Sequence, residues 1–112
     1  ENQNKILSLG KYSYDTHQRI FAFGSQKTGL SPKEGALLKV LMMHPNELLD
    51  REQILNEIWG EADYFTGRSM DVYITKIRKL FHDERCIEIK NIHGSGFIFA
   101  VDDAFPVNLT DF

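Results

Sequence analysis

The sequence predicts one α+β domain: a four-stranded antiparallel sheet at the N-terminus, then three helices, then a β-hairpin. Three observations carry that prediction. Short alternating apolar runs broken by turn residues fill positions 5–31. Three segments with helical apolar spacing follow them, the first two capped, and two further alternating runs flank a glycine-rich turn.

The opening runs are KILSLG, YSYD, RIFAFG and KTGL, separated by Gly10, by positions 15–18 and by positions 24–26. Such residues favour tight turns, so the runs read as a meander of short strands. Ser31 then begins a helix. Pro32 suits the first helical position, whose N–H has no partner within the helix, and Glu34 at N3 completes a capping box. Leu37, Leu38, Leu41 and Met42 form its apolar stripe and Pro45 ends it, while Gly35 weakens it slightly. After an extended ELL, Asp50 caps a second helix with Gln53 at N3. Ile54, Leu55, Ile58 and Trp59 line that helix, and Gly60 is its natural stop. GEADYFTG, positions 60–67, reads as a loop. The third helix, RSMDVYITKIRKLF over 68–81, puts Met70, Ile74, Ile77 and Phe81 on one stripe. CIEIKNI and FIFAV, joined by HGSG, complete the hairpin.

The length of 112 residues allows one domain with a modest core, which we place at 5–101, between a linker remnant at 1–4 and a C-terminal tail at 102–112. A single cysteine, Cys86, excludes an internal disulfide and fits a reducing, cytoplasmic setting. No apolar run approaches the length of a membrane span, and no secretory signal is seen. The chain starts at Glu1 without a methionine, so it is expected to be a piece of a longer protein.

Net charge is -3, which argues against indiscriminate nucleic-acid binding. The distribution is more informative. Arg68, Lys76, Arg78 and Lys79 against Asp71 give the third helix a local +3, whereas positions 46–63 carry -5 and the tail -3. Opposite its apolar stripe that helix shows Arg68, Val72, Thr75, Lys76 and Lys79. An exposed valine among cations suits a surface offering both phosphates and methyl groups, as the DNA major groove does.

Enzyme readings find little support. His17, His44, His82 and His93 form no ligand pair, and one cysteine supplies no zinc set. Gly94-Ser95-Gly96 lies between strands rather than before a helix, so it is no dinucleotide fingerprint. No cofactor is expected. What holds together is a helix, a tight connection, a basic helix and a glycine-tipped hairpin, the arrangement of a winged helix-turn-helix.

At this point the sequence resembles the C-terminal DNA-binding domain of OmpR/PhoB-type response regulators, nearly end to end from Leu7 to Ala100. LSPKEGALLKVLMMHP, LLDREQILNEIWG, RSMDVYITKIRKL and IKNIHGSGFIF match in the family's order and spacing. The resemblance implies a transcription factor that binds promoter DNA, commonly as a head-to-tail pair on direct repeats. It also implies an upstream receiver domain, absent from this chain, that a sensor histidine kinase phosphorylates. Carried over by position, Arg68, Ser69, Tyr73, Thr75 and Arg78 match phosphate contacts. Val72 and Lys76 match base-facing positions, with Lys79 on the same face. Trp59 matches a residue that abuts the DNA backbone, and Asn91, His93 and Phe97 match the wing. The loop at 60–67, with Glu61, Ala62, Asp63 and Tyr64, corresponds to one that touches RNA polymerase. Two departures stand out. Thr75 and Lys76 stand where a well-studied member has two arginines, and His93 stands in place of a minor-groove arginine. With the overall acidity, they favour a rival reading, a protein-interaction module without specific DNA binding.

Several residues have structural readings of their own. Trp59 is expected in the core first, with its indole N–H available to a phosphate second. Asp71 would repel DNA if unpaired, so it is expected to pair with Arg51. Tyr64 and Phe65 are expected as half-buried anchors, and Cys86 as inert. For Phe105, Leu109 and Phe112 in the tail, docking on an apolar patch and fraying both stay open.

Overall fold

The computed structural model describes residues 5–81, 86–102 and 107–111, with the backbone path alone for Lys5 and for 107–111. Four strands open the chain: β1 (Lys5–Leu9), β2 (Tyr12–Asp15), β3 (Ile20–Phe23) and β4 (Gln26–Gly29). Next come helix α1 (Pro32–Met43), the short strand β5 (Leu48–Asp50), and helices α2 (Arg51–Trp59) and α3 (Tyr64–Leu80). Strands β6 (Ile87–Ile92), β7 (Gly96–Val101) and β8 (Val107–Asp111) close it.

The meander forms as the alternation predicts, with antiparallel neighbours in the order β4-β3-β2-β1. The tail then adds a strand that its composition did not announce. β8 pairs antiparallel with β1, from Lys5 opposite Asp111 to Leu9 opposite Val107, making this a five-stranded sheet. Leu109 thus lies in a ladder opposite Leu7, whereas Phe105 and Phe112 fall outside the described residues. A second sheet, in the order β5-β7-β6, consists of the hairpin and β5, which covers the last two residues of the extended ELL and Asp50.

Apolar residues of β1, β2, β3, β6 and β7 and one stripe of each helix meet in a single core. Leu7, Leu9, Tyr12, Tyr14 and Phe21 from the first sheet pack with Leu37, Leu38, Leu41 and Met42 of α1 and with Met70, Ile74 and Ile77 of α3. Phe81, which caps α3, joins the sheets: its ring centre lies 4.9 Å from that of Tyr12, 5.2 Å from Phe21 and 5.5 Å from Phe99.

The predicted caps are present. Ser31 and Glu34 exchange their hydrogen bonds across the first turn of α1, and Asp50 accepts from the Gln53 N–H at 2.9 Å. Gly35 has a reason beyond helix propensity. A Cβ there would run into the Tyr14 hydroxyl, so the glycine lets α1 lie directly on β2. Asn46, with φ 63°, continues the second sheet without being a strand residue. Its N–H donates to the Phe99 carbonyl, and its side-chain amide both donates to and accepts from the backbone of Val101.

Candidate nucleic-acid interface

Helix α3 begins earlier than the sequence reading placed it. Asp63 accepts from the Thr66 N–H at 2.8 Å while the Thr66 hydroxyl accepts from the Asp63 N–H at 2.9 Å, so the helix starts at Tyr64. The connection between α2 and α3 therefore shrinks to four residues, 60–63, with Gly60 taking a left-handed φ of 84°. A threonine at N3 can close this reciprocal cap because its hydroxyl both donates and accepts. The eight-residue loop read at 60–67 is corrected accordingly.

Of the loop residues assigned a polymerase contact, Glu61 is exposed and Ala62 packs partly on the core. The carboxylate of Asp63 is committed to the cap. Tyr64 and Phe65, expected as half-buried anchors, are instead 68% and 77% exposed. Their rings meet edge to face with centres 5.4 Å apart, so each shields part of the other while both project into solvent.

On the outer face of α3, Val72 is 54% exposed, as the unusual valine among cations required. Arg68 folds back along the helix. Its guanidinium donates to the Tyr64 hydroxyl at 3.1 Å and lies 5.7 Å from the centre of that ring. Trp59, Tyr73 and Lys76 form a chain from the end of α2 across α3. The two ring centres are 5.9 Å apart, and the Lys76 ammonium sits 5.5 Å from the centre of Tyr73. Trp59 and Tyr73 are half-buried, which agrees with a core role that leaves an edge in solvent. Cation–π contact at an exposed site is worth only about 0.5–1 kcal/mol. It biases the lysine's direction without immobilising it. Ser69 is half-buried at the start of this face, and Lys79 is exposed at its far end.

Two assigned contacts have other duties. The Thr75 hydroxyl donates to the Asp71 carbonyl one turn back at 3.0 Å, so its proton is not directed at a phosphate. Arg78 donates through Nε and Nη2 to the Ile89 carbonyl at 3.3 and 2.9 Å, tying α3 to β6. Its remaining N–H groups bond to no other described residue. Phe97, matched to the wing, is instead 2% exposed, because position 97 lies on the inward side of β7 between Leu49 and Asn91, so its side chain belongs to the core.

The hairpin tip is built by a turn in which the Ser95 N–H donates to the Ile92 carbonyl and Gly94 has φ 74°. Asn91 and His93 are exposed there. The need for small residues at the tip has two causes. Gly94 supplies the left-handed turn, whereas Gly96 is required because a Cβ would run into the Leu49 carbonyl of β5. Between tip and helix lies a recess of about 360 Å³ whose walls include Asp71, Thr75, Arg78, Asn91 and His93. The pairing inferred for Asp71 is present: Arg51 meets its carboxylate at 2.9 Å. Among the described residues no cluster of His, Cys, Asp or Glu could hold a metal ion, and no helix is long and apolar enough to cross a membrane.

Three helices with a basic third one and a hairpin beside it define a winged helix-turn-helix domain. Residues 25–99 match the domain family described as "Transcriptional regulatory protein, C terminal", and the chain belongs to that family, the winged-helix DNA-binding domains of OmpR/PhoB-type regulators. It is 46% identical over 95 residues to transcriptional regulatory protein RprY of Bacteroides fragilis (strain YCH46), covering 85% of this chain and 40% of that protein. With the phosphate regulon transcriptional regulatory protein PhoB of Escherichia coli (strain K12) the identity is 34% over 101 residues, covering 86% of this chain and 42% of PhoB. The chain thus spans about two-fifths of the length of these curated relatives. Among solved structures, the Klebsiella pneumoniae RstA DNA-binding domain in complex with the RstA box has a TM-score of 0.69 at 28% identity, covering 85% of this chain and 96% of that one. The chain is a DNA-binding effector domain of a transcription regulator, not an enzyme.

Proposed function

We propose that α3 lies in the major groove of promoter DNA with Val72 and Lys76 over the base edges, while the tip of the hairpin reaches the adjacent minor groove through Asn91 and His93. Trp59, Arg68, Ser69, Tyr73 and Lys79 flank the helix and meet phosphates, joined by the remaining N–H groups of Arg78. The observation that carries this reading is the outer face of α3. It sets an exposed valine within a turn of a lysine aimed by Tyr73, and the wing stands beside it across an open recess. A methyl-bearing contact next to a cation matches the thymine methyls and guanine acceptors of the groove. The low net charge makes the patch on α3 the main electrostatic attraction, so non-specific binding is weak and specific contacts decide.

In the whole protein this domain acts in the cytoplasm beneath an upstream receiver domain that a sensor histidine kinase phosphorylates. It binds direct repeats as a head-to-tail pair. RNA polymerase meets the α2–α3 connection through Glu61, beside the exposed rings of Tyr64 and Phe65, rather than through Asp63, which is occupied by its cap.

Mobility shifts on direct-repeat promoter DNA at two salt concentrations test the assignment. Lys76→Ala should relax base preference at one position of each half-site, at a cost of about 1–3 kcal/mol. A loss of equal size on every sequence would move Lys76 from the bases to a phosphate.

A further inference from the structure

Arg51 occupies the first position of α2, where the helix dipole disfavours a cation. Its surroundings explain why a cation stays there. Nη1 and Nη2 donate to the two carboxylate oxygens of Asp71 at 2.9 and 3.3 Å, and Nη2 donates also to the Gly67 carbonyl at 3.1 Å. Both partners are on α3. On its other side the guanidinium lies 5.9 Å from the centre of the Phe97 ring on β7. The Arg51 backbone N–H donates to the Ser95 carbonyl in the wing turn at 2.9 Å. One residue therefore bonds to the DNA-facing helix and to the tip of the hairpin, across the recess that separates them. Gly67 makes room for it, since a Cβ there would stand 3.0 Å from Nη2.

We propose that Arg51 is a positioning residue for DNA reading: it sets the separation of α3 and the wing, so that major-groove and minor-groove contacts are made in one register. The inference rests on the placement of helix and wing given above. The planar fork matters here, because it engages a carboxylate with two parallel bonds and a carbonyl with a further one. A lysine ammonium, a compact point charge, cannot hold the same three acceptors in one plane. The arrangement also spends the charge of Asp71, which would otherwise stand unneutralised beside DNA phosphates.

Footprinting of the 112-residue chain on a direct-repeat duplex tests this, at saturating protein and below the melting temperature of each variant. Hydroxyl-radical cleavage reports minor-groove shielding, and methylation of guanine N7 by dimethyl sulfate reports the major groove. The wild type should shield both. Arg51→Met should keep the N7 protection and lose the flanking minor-groove protection, with Arg51→Lys between the two. Asp71→Asn, which turns one of the two acceptor oxygens into a donor, removes the charge and leaves the Gly67 contact, should weaken the minor-groove signal alone and covers the case in which Arg51→Met does not fold. Variants that shield the minor groove as the wild type does would overturn the proposal, as would an equal loss of both signals, which marks a residue that only supports the fold. Absence of minor-groove shielding in the wild type would remove the wing assignment itself, and this inference with it.

Discussion

In the N-terminal sheet, Tyr12 stacks on Phe23 with centres 4.6 Å apart and meets Phe21 at 5.6 Å, and both Tyr12 and Phe21 close on Phe81 at the end of α3. The C-terminal sheet shares this packing, with Phe99 against Phe81, but it is also held by polar attachments from its base to its tip. Arg78 holds the Ile89 carbonyl, Arg51 holds the Ser95 carbonyl through its backbone, and Asn46 holds Val101. The two kinds of contact do different jobs. Apolar packing is non-directional and sets how firmly a sheet stays in place. Charge-assisted forks and amide pairs have preferred angles, so they set where a hairpin points. The aromatic region is scaffold, and the polar margin is the part that aims.

The largest effect should come from the aromatic region. Phe81→Ala removes the ring shared by both sheets and should cost about 3–5 kcal/mol in urea unfolding. Its base preference, measured on the folded fraction, should be unchanged. A cost under about 1 kcal/mol would erase the contrast between the regions. Gly96→Ala acts at the polar margin and should cost about 1–3 kcal/mol, because its Cβ meets the backbone of β5 rather than a yielding side chain. It should also weaken protection by the wing, and a variant as stable as the wild type would show that β5 can move aside.

The smallest effect comes from Tyr14, whose hydroxyl lies against α1. Burial pushes its pKa up from the ordinary 10 to about 12, with the Arg19 guanidinium opposing. The folded state therefore keeps this proton where the unfolded chain releases it. The contribution is complete below pH 10 and is lost as pH rises toward about 12. Urea midpoints at about pH 9 and about pH 11 should differ less in Tyr14→Phe than in the wild type, and identical differences in the two proteins would remove Tyr14 from the high-pH behaviour.

What could be read from the sequence was local, or followed from element order. Ser31 with Glu34 and Asp50 with Gln53 announce helix starts within four residues, and the stripe of Met70, Ile74 and Ile77 announces a buried face. Even the Arg51–Asp71 pair could be inferred, because a carboxylate beside a cationic face needs a partner and the preceding helix opens on an arginine. The errors are of another kind. The start of α3 was hidden because a threonine stood where a glutamate is expected, and that error also gave Tyr64 and Phe65 the wrong exposure. Phe97 is matched to the wing by its position within a motif, although strand alternation places it inward with Phe99. The contacts of Gly35 with Tyr14, Gly96 with Leu49 and Asn46 with Val101 join positions far apart in the chain, and no local pattern encodes them.

The pairing of β8 with β1 has a mechanical consequence. Because Lys5 lies opposite Asp111 in an antiparallel ladder, a pull applied at these two residues loads the ladder at one end. Its hydrogen bonds then open one at a time rather than all together, which takes little force. Strand β1 stays laced to β2 while this happens, so tension reaches the helices late. The sheet edge works as a fuse between these two residues and the helices behind the sheet.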